Sequence, residues 1–285
     1  DYDLAFMRNA WVYEAYRRIG RWAPRTRFVE VFFNQDGNNL DYSDYRGVYL
    51  LCESIRDRKD RVDITSIEPS DVAQPGISGG YLLKVDRFDS DEYQWHTTRS
   101  LPPSTTNGNA VVIHRPKLAD LGTGQAAYLQ NYFQSFENAV FTEASAGFTT
   151  RNYRNYIDSA SWVDHGMFNA LPKNVDALRL SSYYYKDRGR KLEGGPLWDF
   201  DRSANSTDVR DDAFNTWAGT GDSTDYFTFA WWQPLFQDIE FRQLFVDRWQ
   251  MHRRSAISTV SIQGIIDGFV AEFKTSDGDH PAARD

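Results

Sequence analysis

The sequence has a single cysteine, Cys52, so no disulfide bond can form within its 285 residues. Cys52 lies in the apolar run VYLLCESI, which predicts a buried thiol rather than a catalytic nucleophile. The five histidines are scattered along the chain. A zinc site, which needs several cysteine or histidine ligands at defined spacings, is therefore not indicated.

Long apolar runs are also missing. No stretch of about 18 apolar residues occurs, and this predicts that the chain contains no membrane span. The sequence opens DYDLAFMRNA, without a charged and then apolar leader, so we expect a signal peptide to be absent or already removed. Neither G-x-x-x-x-G-K-[ST] nor G-x-G-x-x-G is present, so neither a P-loop nor a Rossmann nucleotide site is predicted.

Positive charge is scarcer than negative charge. The 32 Lys and Arg residues face 40 Asp and Glu residues, which gives a net charge of −8. Nucleic-acid-binding proteins normally present a basic face, so we expect no nucleic-acid partner. Aromatic residues are abundant, at 15% of the chain. We expect most of them in the core, with stacking against a nucleobase or sugar as the alternative for individual rings.

The period of the apolar residues changes along the chain, and this change predicts an α+β fold. An opening amphipathic helix is indicated by helical spacing of Leu4, Met7, Trp11, Ala15 and Ile19. Strands are predicted at 27–34, 47–55, 79–87 and 110–116. Helices are predicted around 127–140, 162–169, 239–254 and 257–274. We therefore expect a mixed sheet in a sheet-rich part, 1–116, packed on a helix-rich part, 117–285.

The stretch 158–205 carries the functional hypothesis. Asp158 or Ser159 is suited to cap a helix that ends before Pro172, and a loop with Asp176 follows. SYYYK then reads as a strand, DRGR as a turn and KLEGGPLWDF as the return strand. Because a hairpin brings its two ends together, Asp176 and Asp199 should be neighbours although they are 23 residues apart.

Phosphoryl transfer requires such a pair of acidic loops. One carboxylate orients the attacking hydroxyl, and another holds the Mg²⁺ that bridges the phosphates. Taken singly, Asp176 could instead be a turn residue, and Asp199 and Asp201 could be helix caps. A glycoside hydrolase using Asp199 with Glu193 is a further alternative, although no feature of the sequence favours that pair. Exposed aromatics in 93–99 and 216–227 make a sugar-binding module another alternative function.

Five segments of the chain resemble the CotH kinase family in content and order: APRTRFVEVFFN, RGVYLLCESI, GGYLLKVDR, KNVDALRLSSYYYKD and GPLWDFD. The similarity extends from about residue 8 to about residue 274 and is strongest at 173–201. It implies a protein-kinase-like fold, ATP with Mg or Mn, and transfer of phosphate to a protein acceptor. It also implies an extracellular location or one at the cell or spore surface. A catalytically weak or inactive binding or structural module on the same scaffold is the alternative.

The resemblance also implies roles for particular residues. Asp176 matches the catalytic aspartate of the family's N-x-D loop, and Asp199 and Asp201 match the metal-binding pair of its W-D-x-D motif. Kinases place a metal-binding Asn five residues after the catalytic Asp, a position occupied here by Ser181. Ser181 is therefore the third candidate metal ligand.

Three further residues are candidates for binding the nucleotide. Family members carry lysines on a strand upstream of the opening helix, and no such segment precedes this helix in the sequence. Lys84 and Glu53 are therefore the candidates for a kinase-like Lys–Glu pair. Trp198 could stack on the nucleotide ring or simply pack the strand. His165, on a mostly apolar helix, is expected to be a core histidine with its hydrogen bonds satisfied rather than a general base.

Overall fold

The computed structural model describes residues 2–99, 109–216 and 229–274. The α+β prediction is confirmed, with six α-helices and seven strands in this part of the chain. The helices are α1 (Arg8–Arg18), α2 (Gln125–Ser145), α3 (Ser159–Ala170), α4 (Trp232–Gln237), α5 (Ile239–Arg253) and α6 (Thr259–Lys274). The strands are β1 (Thr26–Phe32), β2 (Tyr45–Cys52), β3 (Tyr81–Val85), β4 (Tyr93–His96), β5 (Ala110–Arg115), β6 (Ser182–Lys186) and β7 (Leu192–Gly194).

The strands form two sheets, both antiparallel, so the prediction of one mixed sheet is wrong. The larger sheet has the order β4-β5-β3-β6-β7, and β1 pairs with β2 alone. The β1–β2 hairpin packs instead on α6, where the Phe28 ring lies 4.4 Å from that of Phe273 and 5.6 Å from that of Phe269. The edge of β3 is taken by β6, which lies beyond residue 116. The division of the chain at residue 116 stays a prediction.

Strand β3 lies at the centre of the larger sheet, and all five of its residues are buried. Leu83 belongs to the main hydrophobic core, which the helices share. Leu82, on the opposite face, belongs to a smaller core with Ile55, Val62 and Ile64. The sheet thus has helices on one face and the 55–64 segment on the other, and it is the second face that leads to the candidate site.

The hairpin predicted at 182–200 is confirmed in part: β6 and β7 pair antiparallel, but β7 ends at Gly194, whereas the return strand was predicted to continue to Phe200. Helix α3 holds this hairpin in place. Its cap is the predicted Asp158, whose carboxylate accepts the Ser161 backbone N–H at 2.7 Å. Trp162 is fully buried and donates its indole N–H to the Leu192 carbonyl at 3.1 Å. At Gly194 an added Cβ would lie 3.1 Å from the Trp162 Cα, so the absence of a side chain permits this close approach.

Two short elements were not predicted. Strand β4 lies in a polar segment for which no strand was predicted, because its four residues are flanked by charged and polar ones. Helix α4 has only six residues, too few to show a helical period. The segment 216–227, considered for sugar binding, lies outside the described residues from 217 onward. None of the described helices combines the length and apolar character needed to cross a membrane.

The prediction that His165 lies in the core is confirmed, but the prediction that its ring is hydrogen-bonded there is wrong, and this has a consequence for acid stability. The imidazole is fully buried between Tyr184 and Trp232, and neither ring nitrogen has a hydrogen-bond partner among the described residues. Burial lowers the pKa of His165 to about 3. Between that value and the ordinary pKa near 6.5 the unfolded chain binds the extra proton, so stability falls as pH falls.

We expect His165→Phe to reduce this acid sensitivity. Between pH 7 and pH 5 the wild-type free energy of unfolding should fall by about 2 kcal/mol more than that of the variant, at ~1.4 kcal/mol per pH unit below 6.5. Urea unfolding at both pH values measures this difference. His96→Gln, at an exposed site, should retain the wild-type pH dependence. Equal pH dependence in wild type and His165→Phe would contradict the argument.

Candidate active site

The loop after α3 and the loop after β7 are joined by one buried side chain, that of Asn174. Its amide donates to the Asp199 backbone carbonyl at 2.9 Å and to the Asn169 side-chain oxygen at 3.2 Å. Its own side-chain oxygen accepts the Asp176 backbone N–H at 3.3 Å. The hairpin argument placed these loops next to each other, and the Asn174 contacts bring Asp176 and Asp199 to the same end of the hairpin.

Helix α1 fixes the Asp199 loop from the other side. The Asp199 N–H donates to the Tyr13 hydroxyl at 3.0 Å, and the Phe200 N–H donates to the Asn9 side-chain oxygen at 2.8 Å. Tyr13 donates in turn to Asn9 at 2.9 Å. Asp199 has a φ of 64°, a left-handed conformation that costs about 1–3 kcal/mol and persists only where surrounding contacts impose it. Asn9 and Tyr13 supply such contacts.

The Asp199 carboxylate lies among other oxygen atoms. The Ser181 hydroxyl donates to Asp199 Oδ2 at 3.2 Å. Burial first, then the negative charge of Asp201 and a smaller effect from Asp176, together raise the pKa of Asp199 to about 6. Two carboxylates and a hydroxyl are the oxygen ligands that Mg²⁺ prefers. A divalent cation there would offset the repulsion that raises this pKa, so the donor set of Asp199, Asp201 and Ser181 fits the metal.

Asp176 has different partners. Its carboxylate pairs with Arg179 at 2.6 Å and with Arg202 at 3.1 Å, and the side chain is only 15% exposed. Arg202 also contacts Asp208. A carboxylate has about four lone-pair positions, so two guanidinium contacts leave capacity to accept a hydrogen bond from a hydroxyl. The Asp176 side chain thus binds arginines rather than capping a turn.

The helix-cap alternative is wrong for Asp199 and Asp201. No α-helix begins between Asp199 and residue 216 in the described chain. The glycosidase pair is also not supported, because Glu193 lies on β7 and accepts a hydrogen bond from Tyr185 at 2.8 Å. Glu193 lines a cavity of about 300 Å³ with Arg21 and Arg190.

Lys84 is buried and paired, but its partner is Glu92 and not Glu53. The Lys84 Nζ–Glu92 Oε2 distance is 2.9 Å. Glu53 follows β2 in the separate sheet and binds Arg25 at 2.5 Å. The predicted Lys84–Glu53 pair is therefore wrong, because it assumed that β2 and β3 share a sheet. Strands β4 and β5 bring Glu92 to Lys84 instead.

Glu92 is the centre of a cationic network. Besides Lys84, it contacts His114 Nδ1 at 2.7 Å and Lys117 Nζ at 3.1 Å. Burial opposes ionisation of Glu92, but the Asp89 N–H and these three side chains prevail and lower its pKa to about 2. The carboxylates of Asp89, Asp91 and Glu92 all lie within 4.8 Å of one another. Because Lys84 pairs with Glu92, and Lys117 pairs with both Asp91 and Glu92, we interpret the cluster as an ion-pair network.

The pairing of β3 with β6 relates Lys84 to the acidic loops. Lys84 lies directly opposite Tyr183, so both side chains are on the same face of the sheet. The Tyr183 ring contacts that of Trp198 edge to face at 6.4 Å, and Trp198 precedes Asp199. The Trp198 ring also stacks on Tyr13, with centroids 6.4 Å apart. Trp198 thus packs between Tyr13 and Tyr183, and nucleotide contact by Trp198 stays a prediction.

Three contributors to this geometry were not recognised in the sequence: Glu92, and the pair Asn9 and Tyr13 on α1. Glu92 lay in a polar stretch with no apolar period. Asn9 and Tyr13 are spaced i, i+4, which places two polar groups on one face of an otherwise apolar helix. That spacing was the available signal.

The family model described as CotH kinase protein matches residues 2–284. This is nearly the whole chain, and the protein therefore belongs to the CotH kinase family. Membership suggests a kinase-like function that uses ATP and a divalent metal. Among curated proteins, none matches this sequence.

Proposed function

We propose that this protein transfers the γ-phosphate of ATP to a hydroxyl of a protein acceptor in a Mg-dependent reaction. The observation that supports this most is the convergence of Asp176, Ser181 and Asp199 at one end of the β6–β7 hairpin. Asn174 joins the Asp176 and Asp199 loops, and the Ser181 hydroxyl donates to Asp199. In this proposal Asp199, Asp201 and Ser181 hold the metal, which would neutralise charge on the phosphate oxygens.

The remaining roles follow from the chemistry of each side chain. Asp176 accepts the hydrogen bond of the acceptor hydroxyl and takes its proton as the new oxygen–phosphorus bond forms and the bond to ADP breaks. Arg179 and Arg202 hold the Asp176 carboxylate in position. Lys84, oriented by Glu92, binds phosphate oxygens, which is the function of the Lys–Glu pair in kinases.

The fold proposal follows the same correspondence. Residues 1–116 would form the part equivalent to the smaller kinase lobe, and residues 117–285 the larger, active-site part. The Lys84–Glu92 pair on an antiparallel sheet and the two acidic loops next to a helix support it. The location implied by the family resemblance, extracellular or at the cell or spore surface, belongs to this proposal as well.

Transfer of radiolabelled phosphate from ATP to the protein itself, or to an added protein mixture, tests this function. We expect labelling that depends on Mg²⁺ or Mn²⁺ and disappears with EDTA. A chain that binds oligosaccharides in thermal-shift assays but shows no labelling would favour the binding-module alternative.

Replacement of Ser181 by Asn is expected to increase activity. Ser181 has a φ of 52°, and Asn is among the residues that adopt this left-handed conformation most readily, so the substitution should be tolerated. An amide oxygen ligates Mg²⁺ better than a hydroxyl, and we expect metal affinity to rise by roughly 10-fold, the scale of changes around a metal site. A metal titration of turnover measures it. Ser181→Gly keeps the backbone conformation but supplies no ligand, so it should lower the metal affinity. Equal metal affinity of the Asn and Gly variants would refute a metal ligand at this position.

A further inference from the structure

A groove of about 700 Å³ lies between the end of α1, the start of β1 and the end of β2. We call it the arginine groove, because four guanidinium groups and two carboxylates line it: Arg17, Arg25, Arg27, Arg61, Glu14 and Glu53. The proposed phosphotransfer mechanism uses none of these side chains.

The groove carries more positive than negative charge, although the whole chain has a net charge of −8. Glu53 is shared by Arg25 at 2.5 Å and Arg61 at 3.9 Å. Arg27 is exposed and forms no ion pair with any of the described residues. At the rim, Asp60 approaches Arg25 only at 3.7 Å and is itself 70% exposed. The groove therefore offers guanidinium groups, above all Arg27, to an anionic ligand.

Glu14 does not compensate for this excess. It binds Arg17 at 2.7 Å and also Arg18, whose side chain lies outside the groove, at 3.0 Å. Arg17 is held in addition by the Pro24 carbonyl. Glu14 and Arg17 thus form part of the wall, and the charge available for binding comes from the other arginines.

Helix α1 contributes residues both to the groove and to the support of the candidate active site. Arg17 lies one helical turn, about 6 Å, beyond Tyr13 on α1. The Tyr13 hydroxyl accepts the Asp199 backbone N–H. Cys52, which lines the groove, packs against the same core cluster as Tyr13. A bound polypeptide could therefore occupy the groove while a neighbouring residue of that polypeptide reaches the acidic loops.

We propose that the arginine groove binds acidic side chains of the protein acceptor close to the hydroxyl that receives phosphate. The role in acceptor choice rests on the proposed function, whereas the binding itself does not. A short acidic segment matches a groove of limited extent. A long polyanion or an anionic membrane would meet the net negative charge of the remaining chain, so we favour the peptide.

The test uses a fluorescein-labelled peptide in which one serine is flanked on each side by three glutamates, with glutamine replacing glutamate in the matched control. Anisotropy of the full chain without nucleotide should show binding of the acidic peptide. Its affinity should fall as salt rises, because the screening length drops from about 30 Å at 0.01 M to about 8 Å at 0.15 M. Binding of the glutamine peptide with equal affinity would overturn the proposal.

Arg27→Glu should weaken binding of the acidic peptide by roughly 3–10-fold, the scale for replacing an exposed ion pair by a like-charge contact. Arg242→Glu changes the net charge equally at an exposed site on α5 and should bind as wild type does. Equal effects of the two variants would overturn the proposal. The proposal would also be overturned if the protein bound vesicles containing phosphatidylserine through Arg27 but did not bind the acidic peptide.

Turnover separates this proposal from the proposed function. With the acidic peptide as acceptor, Arg27→Glu should raise KM for the peptide by a similar factor and leave KM for Mg-ATP unchanged. If the chain shows no phosphotransfer but binds the peptide through Arg27, the proposed function is wrong and the proposal that the groove binds acidic peptides is retained. If phosphotransfer occurs and Arg27→Glu has no effect on either measurement, the groove proposal fails alone.

Discussion

Asp199→Asn is expected to abolish Mg-dependent ATP binding and phosphotransfer together. Asp199 contributes the charged oxygen that Ser181 and Asp201 surround, and the amide cannot supply that charge. Asn is preferable to Ala because it adopts the left-handed conformation that Asp199 requires. Turnover should fall by at least about 10²-fold, the scale for loss of electrostatic stabilisation at a reacting phosphate.

Calorimetry with ATP in the presence and absence of Mg²⁺ measures the binding effect. Asp120→Asn, which removes one charge at an exposed position, serves as the control and should bind as wild type does. Near-normal Mg-ATP affinity in Asp199→Asn, with a wild-type unfolding temperature, would exclude Asp199 as a metal ligand.

Asp176→Asn is expected to separate binding from chemistry. If Asp176 only orients the acceptor hydroxyl and takes its proton, Mg-ATP should bind within about twofold of wild type, while turnover falls by about 10²–10⁴-fold, the usual range for loss of a general base. The amide keeps the shape of the side chain and can still accept one hydrogen bond from Arg179 or Arg202.

Single-turnover kinetics and calorimetry on the same preparation distinguish this result from a loss of fold. Asp208→Asn is a useful comparison, because it also removes a carboxylate from Arg202 but leaves Asp176 in place. A variant at Asp176 that loses nucleotide affinity in parallel with turnover would assign this residue to the metal or the nucleotide instead.

That the Asp176 loop lies beside the Asp199 loop could be predicted, because it depends on local sequence. A strand, a Gly-containing turn and a return strand determine that the two ends of 182–194 meet. The cap of α3 at Asp158 is similarly local, since a carboxylate before an apolar helical period has one common role. Local rules thus accounted for the loops that carry the candidate site.

The sheet and the Lys–Glu pair depend on contacts between distant segments, which local patterns do not contain. Whether β3 pairs with β2 or β6 is decided by packing: Phe28 of β1 is placed against Phe273 of α6, and this takes the β1–β2 hairpin away from β3. The same displacement separates Glu53 from Lys84 and leaves the position to Glu92. An error in strand order therefore became an error in the site.

Helix α1 gives a third case. Its existence was predicted from the apolar period, but the helix begins at Arg8, after Leu4 and Met7. Its fully buried residues include Tyr13 and Tyr16, and of the apolar positions named in the predicted period only Ala15 is among them. The contact between Tyr13 and the Asp199 loop spans 186 residues of chain. Only the folded arrangement reveals that α1 supports the candidate metal site.

The central claim is that the Asp199 loop holds Mg-ATP, and calorimetry on the wild-type chain tests it most directly. Titration of ATP at millimolar concentration should give saturable binding with Mg²⁺ and much weaker binding with EDTA. Binding of this kind, lost in Asp199→Asn, is the result the proposed function predicts. No heat of binding for Mg-ATP at millimolar ligand, from folded wild-type protein, would contradict it.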